Sequence, residues 1–180
     1  MRIFYALPLP EETAEALFNA SLSLRERLLS GSVTPKENLH ITVSFMGNVN
    51  ELKTDILTEI LRQTAAQNRP PELHFCEPTM LVGADLICSK IKPGEELFKI
   101  NRDLVMLLGQ KGFTVEKRFT PHVTLIRRPV FRMPFAQLKS ETNFRVPPFF
   151  SDSIALMESR IREGAPPRYL PVEIQKFKNK

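Results

Sequence analysis

Hydrophobic residues along the chain follow two spacings, which predict alternating strands and helices. Continuous apolar runs typical of buried strands lie at Ile3–Leu7 and within Asn38–Met46. Elsewhere, apolar residues recur at intervals of three and four, as on helices with one buried face. This spacing predicts a helix that begins at Pro10 and that Gly31 ends, a second from Asn50 to just before Pro70, and a third from Glu95 to Lys111.

The remaining pattern consists mostly of strands divided by proline and glycine. Short strands are predicted at 73–76, 79–82 and 86–91, and longer ones at 117–128, 149–159 and 168–177. A polar loop is predicted at 32–37 and a short element near 135–139. Many short strands mixed with helices favour an α+β fold.

Two of the predicted strands carry the same polar signature. His40-Ile41-Thr42-Val43 and His122-Val123-Thr124-Leu125 each read His, apolar, Thr, apolar. Side chains alternate across a strand, so the histidine and threonine of each motif share one face. The motifs lie almost half a chain apart, each on a strand preceded by a helix and a loop. The chain therefore predicts two related lobes, each contributing one strand to a central cleft.

Two histidines facing one cleft suit acid–base chemistry near neutral pH. Imidazole has an unperturbed pKa near 6.5, so one ring can accept a proton while the other donates one. In-line displacement at phosphorus needs this pair, because one group deprotonates the attacking oxygen and the other protonates the departing oxygen. The threonine hydroxyls can donate to the non-bridging phosphate oxygens.

Other uses of these residues are weaker. Two histidines without a matching third ligand would leave a zinc site incomplete. Ser44 lies on the same strand as His40, but no nucleophile elbow surrounds it. The two motif histidines could also be ordinary strand residues, although the matched pair favours function. For His74, the third histidine, a structural role is expected.

Composition adds a mild preference for an anionic partner. The chain has 180 residues, 42% of them hydrophobic and 25% charged, with a formal net charge of +5. Such a balance is ordinary for a globular protein, and the excess of positive charge favours a polyanion such as nucleic acid. Cys76 and Cys88 are expected to be reduced thiols. No stretch approaches the length of a membrane span. We therefore expect a cytoplasmic monomer without a membrane partner.

The two motif strands resemble a known superfamily. Asn38-Leu39-His40-Ile41-Thr42-Val43-Ser44-Phe45-Met46-Gly47 and Phe119-Thr120-Pro121-His122-Val123-Thr124-Leu125-Ile126-Arg127 are similar to the paired HxTx signatures of the two-histidine (2H) phosphoesterases. The opening residues 2–10 and the closing residues 159–170 resemble the RNA 2′,3′-cyclic phosphodiesterases, also called 2′-5′ RNA ligases. This resemblance implies one domain over residues 1–180 with a bilobal, LigT-like fold. In that fold, antiparallel sheets of two intertwined lobes related by a pseudo-twofold axis flank a cleft, with helices outside.

The resemblance also implies an activity and its residues. The family opens 2′,3′-cyclic phosphate ends of RNA to 2′-phosphomonoesters and weakly reverses the reaction to join RNA ends, without a metal or other cofactor. On matching positions, His40 and His122 are the acid–base pair, and Thr42, Thr124 and Arg127 bind the phosphate. Two orders of proton transfer are possible, and the sequence does not distinguish them. The one considered first has His122 as the base and His40 as the acid.

Several further assignments are expectations. Arg127 is an odd number of residues from His122, so it reaches the phosphate only if the strand ends or twists near Ile126. Phe4, Lys117 and Arg118 are candidate RNA contacts. The alternatives are a 2H enzyme for another small cyclic or 2′-5′ phosphodiester, and a nucleotide- or RNA-binding module without turnover.

Overall fold

The chain forms a series of strands and helices within residues 1–81, 83–116, 118–162 and 164–178, the part that the computed structural model describes. The strands are β1 (Arg2–Pro8), β2 (Leu28–Val33), β3 (His40–Asn48), β4 (Glu72–Leu73), β5 (Phe75–Met80), β6 (Leu86–Ile91), β7 (His122–Phe131), β8 (Phe149–Phe150), β9 (Ser153–Arg162) and β10 (Ala165–Lys176). The helices are α1 (Glu11–Glu26), α2 (Thr54–Gln67), α3 (Glu95–Gln110) and α4 (Phe135–Ser140).

Two four-stranded antiparallel sheets organise the molecule. The first has the strand order β10-β9-β1-β3 and the second β2-β7-β6-β5, while β4 and β8 form a separate pair. The edge strand β3 of the first sheet contacts β7 of the second, so the two motif strands meet. The long helices bury apolar stripes that include Leu17, Leu61 and Leu104 in a common core with both sheets. The predicted α+β fold is confirmed.

Each sheet combines strands from both halves of the chain. Strand β2 leaves the first half of the chain to pair with β7 in the second sheet. Strands β9 and β10, from the end of the chain, complete the first sheet beside β1. The cleft between the sheets is therefore bordered by distant parts of the sequence.

The helical and central strand predictions agree with the structure, but several strand bounds differ. Helices α1, α2 and α3 and strands β1, β3 and β6 lie close to where the pattern predicts them. The strands predicted at 73–76 and 79–82 are replaced by β4 and β5, and β7 begins at His122 and continues to Phe131 rather than spanning 117–128.

The largest difference lies at 28–37. The prediction of a helix end and loop over 28–37 is wrong for Leu28–Val33, which form β2. A Cβ atom on Gly31 would lie 2.9 Å from Cγ2 of Ile126. This glycine therefore permits β2 to approach β7, rather than ending a helix.

Strand β3 contains a bulge at the last residue of its motif. Thr42 and Ser44 pair with consecutive residues of β1, so Val43 has no partner in the ladder. A bulge shifts the side-chain alternation by one residue. Phe45, five residues after His40, therefore reaches the same cleft as the histidine, with 46% of its surface exposed.

Strand β7 contains a bulge at the corresponding place. Thr124 and Ile126 pair with consecutive residues of β6, so Leu125 is skipped. Leu125 and Ile126 are both fully buried, which an undisturbed alternation would not allow. Arg127 consequently lines the cleft together with His122. The twist that Arg127 needs near Ile126 is supplied by this bulge.

Each bulge has a hydrogen bond that satisfies its carbonyl group. Asn101 on α3 donates from Nδ2 to the Val43 carbonyl at 2.9 Å, and this amide is buried. The Leu125 carbonyl accepts the backbone N–H of Thr34 at 2.9 Å. A buried carbonyl that loses its ladder partner needs a replacement. These two bonds therefore stabilise the bulges that shape the cleft.

Within the described ranges, no helix has both the length and the apolar content that crossing a membrane requires.

Replacing Asn101 with leucine is expected to destabilise the protein. The change leaves the buried Val43 carbonyl unpaired, which typically costs about 1–3 kcal/mol. Chemical denaturation measures the loss. Asn19→Leu on the exposed face of α1 is the matched control, expected within about 0.5 kcal/mol of the original protein. Equal effects of the two substitutions would contradict a specific role for the Asn101 bond.

Candidate active site

A cleft of about 840 Å³ lies between the two sheets, and both motifs line it. His40 and Thr42 come from β3, and His122, Thr124 and Arg127 come from β7. The structure thus brings together all five residues to which the resemblance assigns catalysis or phosphate binding.

The cleft is electrostatically suited to an anion. Its described lining residues include three arginines, Arg2, Arg127 and Arg128, and no aspartate or glutamate. Arg127 and Arg128 form no ion pair with a carboxylate among the described residues. Because low-dielectric walls concentrate the field of such charges, the cleft attracts negatively charged ligands.

The tautomer of His40 follows from its hydrogen bonds. Nδ1 lies 2.7 Å from the Asn38 carbonyl oxygen, which can only accept, so Nδ1 carries a proton. Nε2 lies 3.0 Å from Oγ1 of Thr42. In the neutral ring Nε2 is an acceptor, so the Thr42 hydroxyl donates to it. Nε2 is therefore the nitrogen that gains or loses a proton.

His122 repeats this arrangement. Its Nδ1 donates to the carbonyl oxygen of Thr120 at 2.8 Å, again two residues before the histidine. The same tautomer follows, with Nε2 as the exchanging nitrogen. The two rings are thus prepared in the same way by their own strands.

The surroundings of His40 are aromatic. The Phe4 ring centroid lies 4.9 Å from that of His40, and the Tyr169 ring meets His40 edge-on at 5.1 Å. Burial lowers the pKa of His40 from 6.5 to about 4, and the charges of Arg127 and His122 act in the same direction, against the Asn38 hydrogen bond. His40 is therefore neutral at physiological pH.

Asn38 connects His40 to the last strand of the chain. Besides its carbonyl bond to the histidine, its side chain donates from Nδ2 to the Pro167 carbonyl at 2.7 Å. Its Oδ1 accepts the backbone N–H of Tyr169 at 3.3 Å. One buried residue therefore orients the ring and holds β10, which carries Tyr169, against it.

The remaining predicted site residues lie in different environments. Phe4 lines the cleft but is only 3% exposed, since His40 and Tyr169 pack on it. This placement favours packing over base stacking. Arg118 is exposed and does not line the cleft, and Lys117 lies outside the described residues. His74 is away from the cleft, 3.2 Å from Glu72.

The structure adds residues that the sequence did not place in the site. Asn38 and Tyr169 surround His40, and Arg2 and Arg128 add positive charge to the cleft. Tyr169 joins the site through a pairing of distant strands, which leaves no local sequence signal. Asn38 and Thr120 each accept the histidine N–H through a backbone carbonyl, which any residue carries, so this contact leaves no sequence signal either.

Metal ligation has no obvious centre in the described part of the chain. Within those residues, no group of three or more His, Cys, Asp or Glu side chains comes together as a metal site requires. The expectation of metal-independent chemistry remains a prediction.

Two sheets around a cleft with paired HxTx strands define a two-histidine phosphoesterase. A sequence profile of the 2′-5′ RNA ligase superfamily matches residues 11–163, and the chain belongs to that superfamily. The family resemblance seen in the motifs is thereby confirmed.

Relatives and solved structures agree with this assignment. The chain is 26% identical to the RNA 2′,3′-cyclic phosphodiesterase of Thermotoga maritima, over 80% of this chain and 79% of that one. It is 25% identical to the enzyme of the same name from Methanothermobacter thermautotrophicus, over 92% and 94%. E. coli LigT complexed with 3′-AMP shares the fold, with a TM-score of 0.78, 20% identity, and coverage of 99% and 98%. TT0787 of Thermus thermophilus matches with a TM-score of 0.75, 24% identity and 98% coverage of each chain.

Removing the Tyr169 ring is expected to raise the pKa of His40 from about 4 toward 6.5. In Tyr169→Ala, water reaches a face of the imidazole that the ring now covers, so the charged form is better solvated. NMR of the histidine ring protons across pH 3 to 8 measures the titration midpoint of His40. Its signal is identified as the one that disappears in His40→Ala. An unchanged midpoint in Tyr169→Ala would show that the aromatic packing does not set this pKa.

Proposed function

We propose that the protein hydrolyses 2′,3′-cyclic phosphodiester ends of RNA to 2′-phosphomonoesters through its two histidines, without a metal ion. The observation that carries this proposal is the pairing of His40 and His122, in the same tautomer, in one cleft whose described lining has arginines and no carboxylate. The names of relatives about a quarter identical over most of the chain support the substrate.

The reaction requires two proton transfers on opposite sides of phosphorus. One imidazole removes a proton from water as its oxygen forms a bond to phosphorus. The bond from phosphorus to O3′ breaks, and the second imidazole gives its proton to O3′. The products are a 2′-phosphomonoester and a free 3′-hydroxyl. Histidines from two different strands can serve the attacking and departing oxygens separately.

Charge on the phosphate is balanced by groups beside the histidines. Thr42, Thr124 and Arg127 line the cleft, and we assign the two hydroxyls to donate to the non-bridging oxygens and Arg127 to add a positive charge. The Thr42 hydroxyl donates to His40 in the free enzyme, so it turns from the ring to the phosphate when substrate binds.

The nucleoside fits the side of the cleft formed by the first sheet. Phe45 is the aromatic ring there with a large exposed surface, 46%, and the guanidinium of Arg2 lies 5.0 Å from its centroid. A cation on one face leaves the other face of the ring for a base, and such stacking tolerates any base. Phe45 is therefore assigned the base-stacking role for which Phe4 is too deeply buried.

The different surroundings of the two rings favour one order of proton transfer. A general base must be neutral, and burial lowers the pKa of His40 to about 4. His40 as base and His122 as acid is therefore the order that we propose. It is opposite to the order considered from the sequence, in which His122 was the base.

Replacing either motif histidine with alanine is expected to reduce the hydrolysis of an RNA with a 2′,3′-cyclic phosphate end by about 10²–10⁴-fold. The assay contains EDTA, and mass spectrometry identifies the phosphomonoester product. His74→Ala, which removes the histidine outside the cleft, is the control and keeps full activity. Full turnover in both motif variants, or loss of wild-type activity on chelation, would reject the mechanism. Tight binding of the RNA end without hydrolysis would instead indicate a binding module.

The proposed order is tested with an analogue in which sulfur replaces the bridging O3′. A thiol is far more acidic than a ribose hydroxyl, so a thiolate departs without a proton donor. His122→Ala is therefore expected to recover most of its activity on this analogue, while His40→Ala stays inactive because water still needs a base. Recovery of His40→Ala alone would reverse the assignment.

A further inference from the structure

The end of the β7 motif presents two consecutive arginines to one cavity. In a regular strand, neighbouring side chains point to opposite faces. Arg127 and Arg128 nevertheless both line the cleft. Both are exposed, and no carboxylate pairs with either within the described residues. The proposed hydrolysis uses Arg127 and leaves Arg128 without a role.

The backbone of Arg128 is strained in the way that produces this arrangement. Its φ of 51° is the one positive value recorded for a residue other than glycine in the described chain. Arginine rarely adopts this conformation, and a residue before a proline, here Pro129, is normally extended. The backbone N–H of Arg128 donates to the Asp85 carbonyl at 2.8 Å, and this bond stabilises the unusual backbone conformation. Such strain in a binding cleft points to a function for the side chain.

The position of Arg128 along the strand indicates what it would bind. From the reaction centre outward, β7 presents His122, Thr124, Arg127 and then Arg128. The backbone from Thr124 to Arg128 covers at most about 13 Å. Ser32, paired with Arg127 across the ladder, adds a hydroxyl to the same wall of the cleft. A second cation therefore follows the phosphate-binding groups, as one phosphate follows another along an RNA strand.

We infer that Arg128, assisted by Ser32, binds the internucleotide phosphate next to the cyclic end. The preferred substrate is then an oligoribonucleotide rather than a nucleoside 2′,3′-cyclic phosphate. A guanidinium suits this task because it forms charge-assisted hydrogen bonds with phosphate oxygens. The inference rests on the proposed hydrolysis and adds a preference for substrates with at least two phosphates.

Three substrates isolate this contact. Adenosine 2′,3′-cyclic phosphate has one phosphate. The dinucleotide ApA with a 2′,3′-cyclic phosphate end has two. The same dinucleotide with a methylphosphonate linkage keeps both bases but loses the internucleotide charge. For wild type, kcat/KM is expected to be about tenfold higher or more for the charged dinucleotide than for the methylphosphonate, as one charge-assisted hydrogen bond provides.

In Arg128→Gln this preference is expected to fall below about twofold. In the same variant, the slope of log kcat/KM against log salt concentration for the charged dinucleotide should decrease by the amount expected for one lost phosphate contact. Arg128→Lys should restore part of the preference. Arg102→Gln, which removes an exposed arginine from α3, is the matched control and keeps the wild-type preference. Arg128→Gly removes the side chain but suits a positive φ, so its melting temperature should equal or exceed that of wild type while the preference is lost.

The outcomes separate this inference from the proposed function. If wild type hydrolyses none of the three substrates, the proposed function fails. If it hydrolyses them without preferring the charged dinucleotide, or if Arg128→Gly keeps that preference, the second phosphate contact is overturned while the hydrolysis stands.

Discussion

The cleft depends on two bulges, at Val43 and Leu125, that interrupt the alternation of side chains. Without them, the fifth residue after each histidine would lie on the face opposite the reaction centre. Each bulge removes a carbonyl group from its ladder, and a hydrogen bond from outside that ladder replaces the lost partner. Asn101 supplies the bond on β3, and the N–H of Thr34 supplies it on β7. Parts of the molecule outside the catalytic motifs thus determine which side chains those motifs present.

The two halves of the site share a backbone plan but differ in the groups they carry. Phe45 and Arg127 occupy corresponding places, five residues after their histidines, so one wall offers a ring and the other a cation. His40 is enclosed by Phe4 and Tyr169, and burial lowers its pKa. Because the walls differ, the proposed substrate would have a preferred direction, with its base beside Phe45 on the first sheet and the arginines of the second sheet beside its phosphates. A duplicated scaffold can therefore support a reaction in which the two histidines do different work.

Sequence alone predicted the features that local patterns determine. Helices α1 and α3 were predictable because their buried stripes repeat within each helix, and the motif histidines because both strands carry the same signature. Strand β2 was missed because its conformation depends on pairing with β7 across Gly31. The side of β7 on which Arg127 lies could not be predicted. It depends on the bulge at Leu125, which forms only when β7 pairs with β6. The conformation of Arg128 depends likewise on its bond to Asp85.

In the proposed reaction, phosphate binding and proton transfer are coupled through the charges around His40. In the free cleft, burial is the main cause that lowers the pKa of His40, and electrostatic interactions with Arg127 and His122 add to it. A bound phosphodiester places a negative charge among these groups and offsets their effect on the ring. The affinity of His40 for a proton therefore rises when the substrate is present, which is when the base must take a proton from water. Under the proposed order of proton transfer, Arg127 contributes twice, by attracting the phosphate and by adding to the burial that keeps His40 neutral.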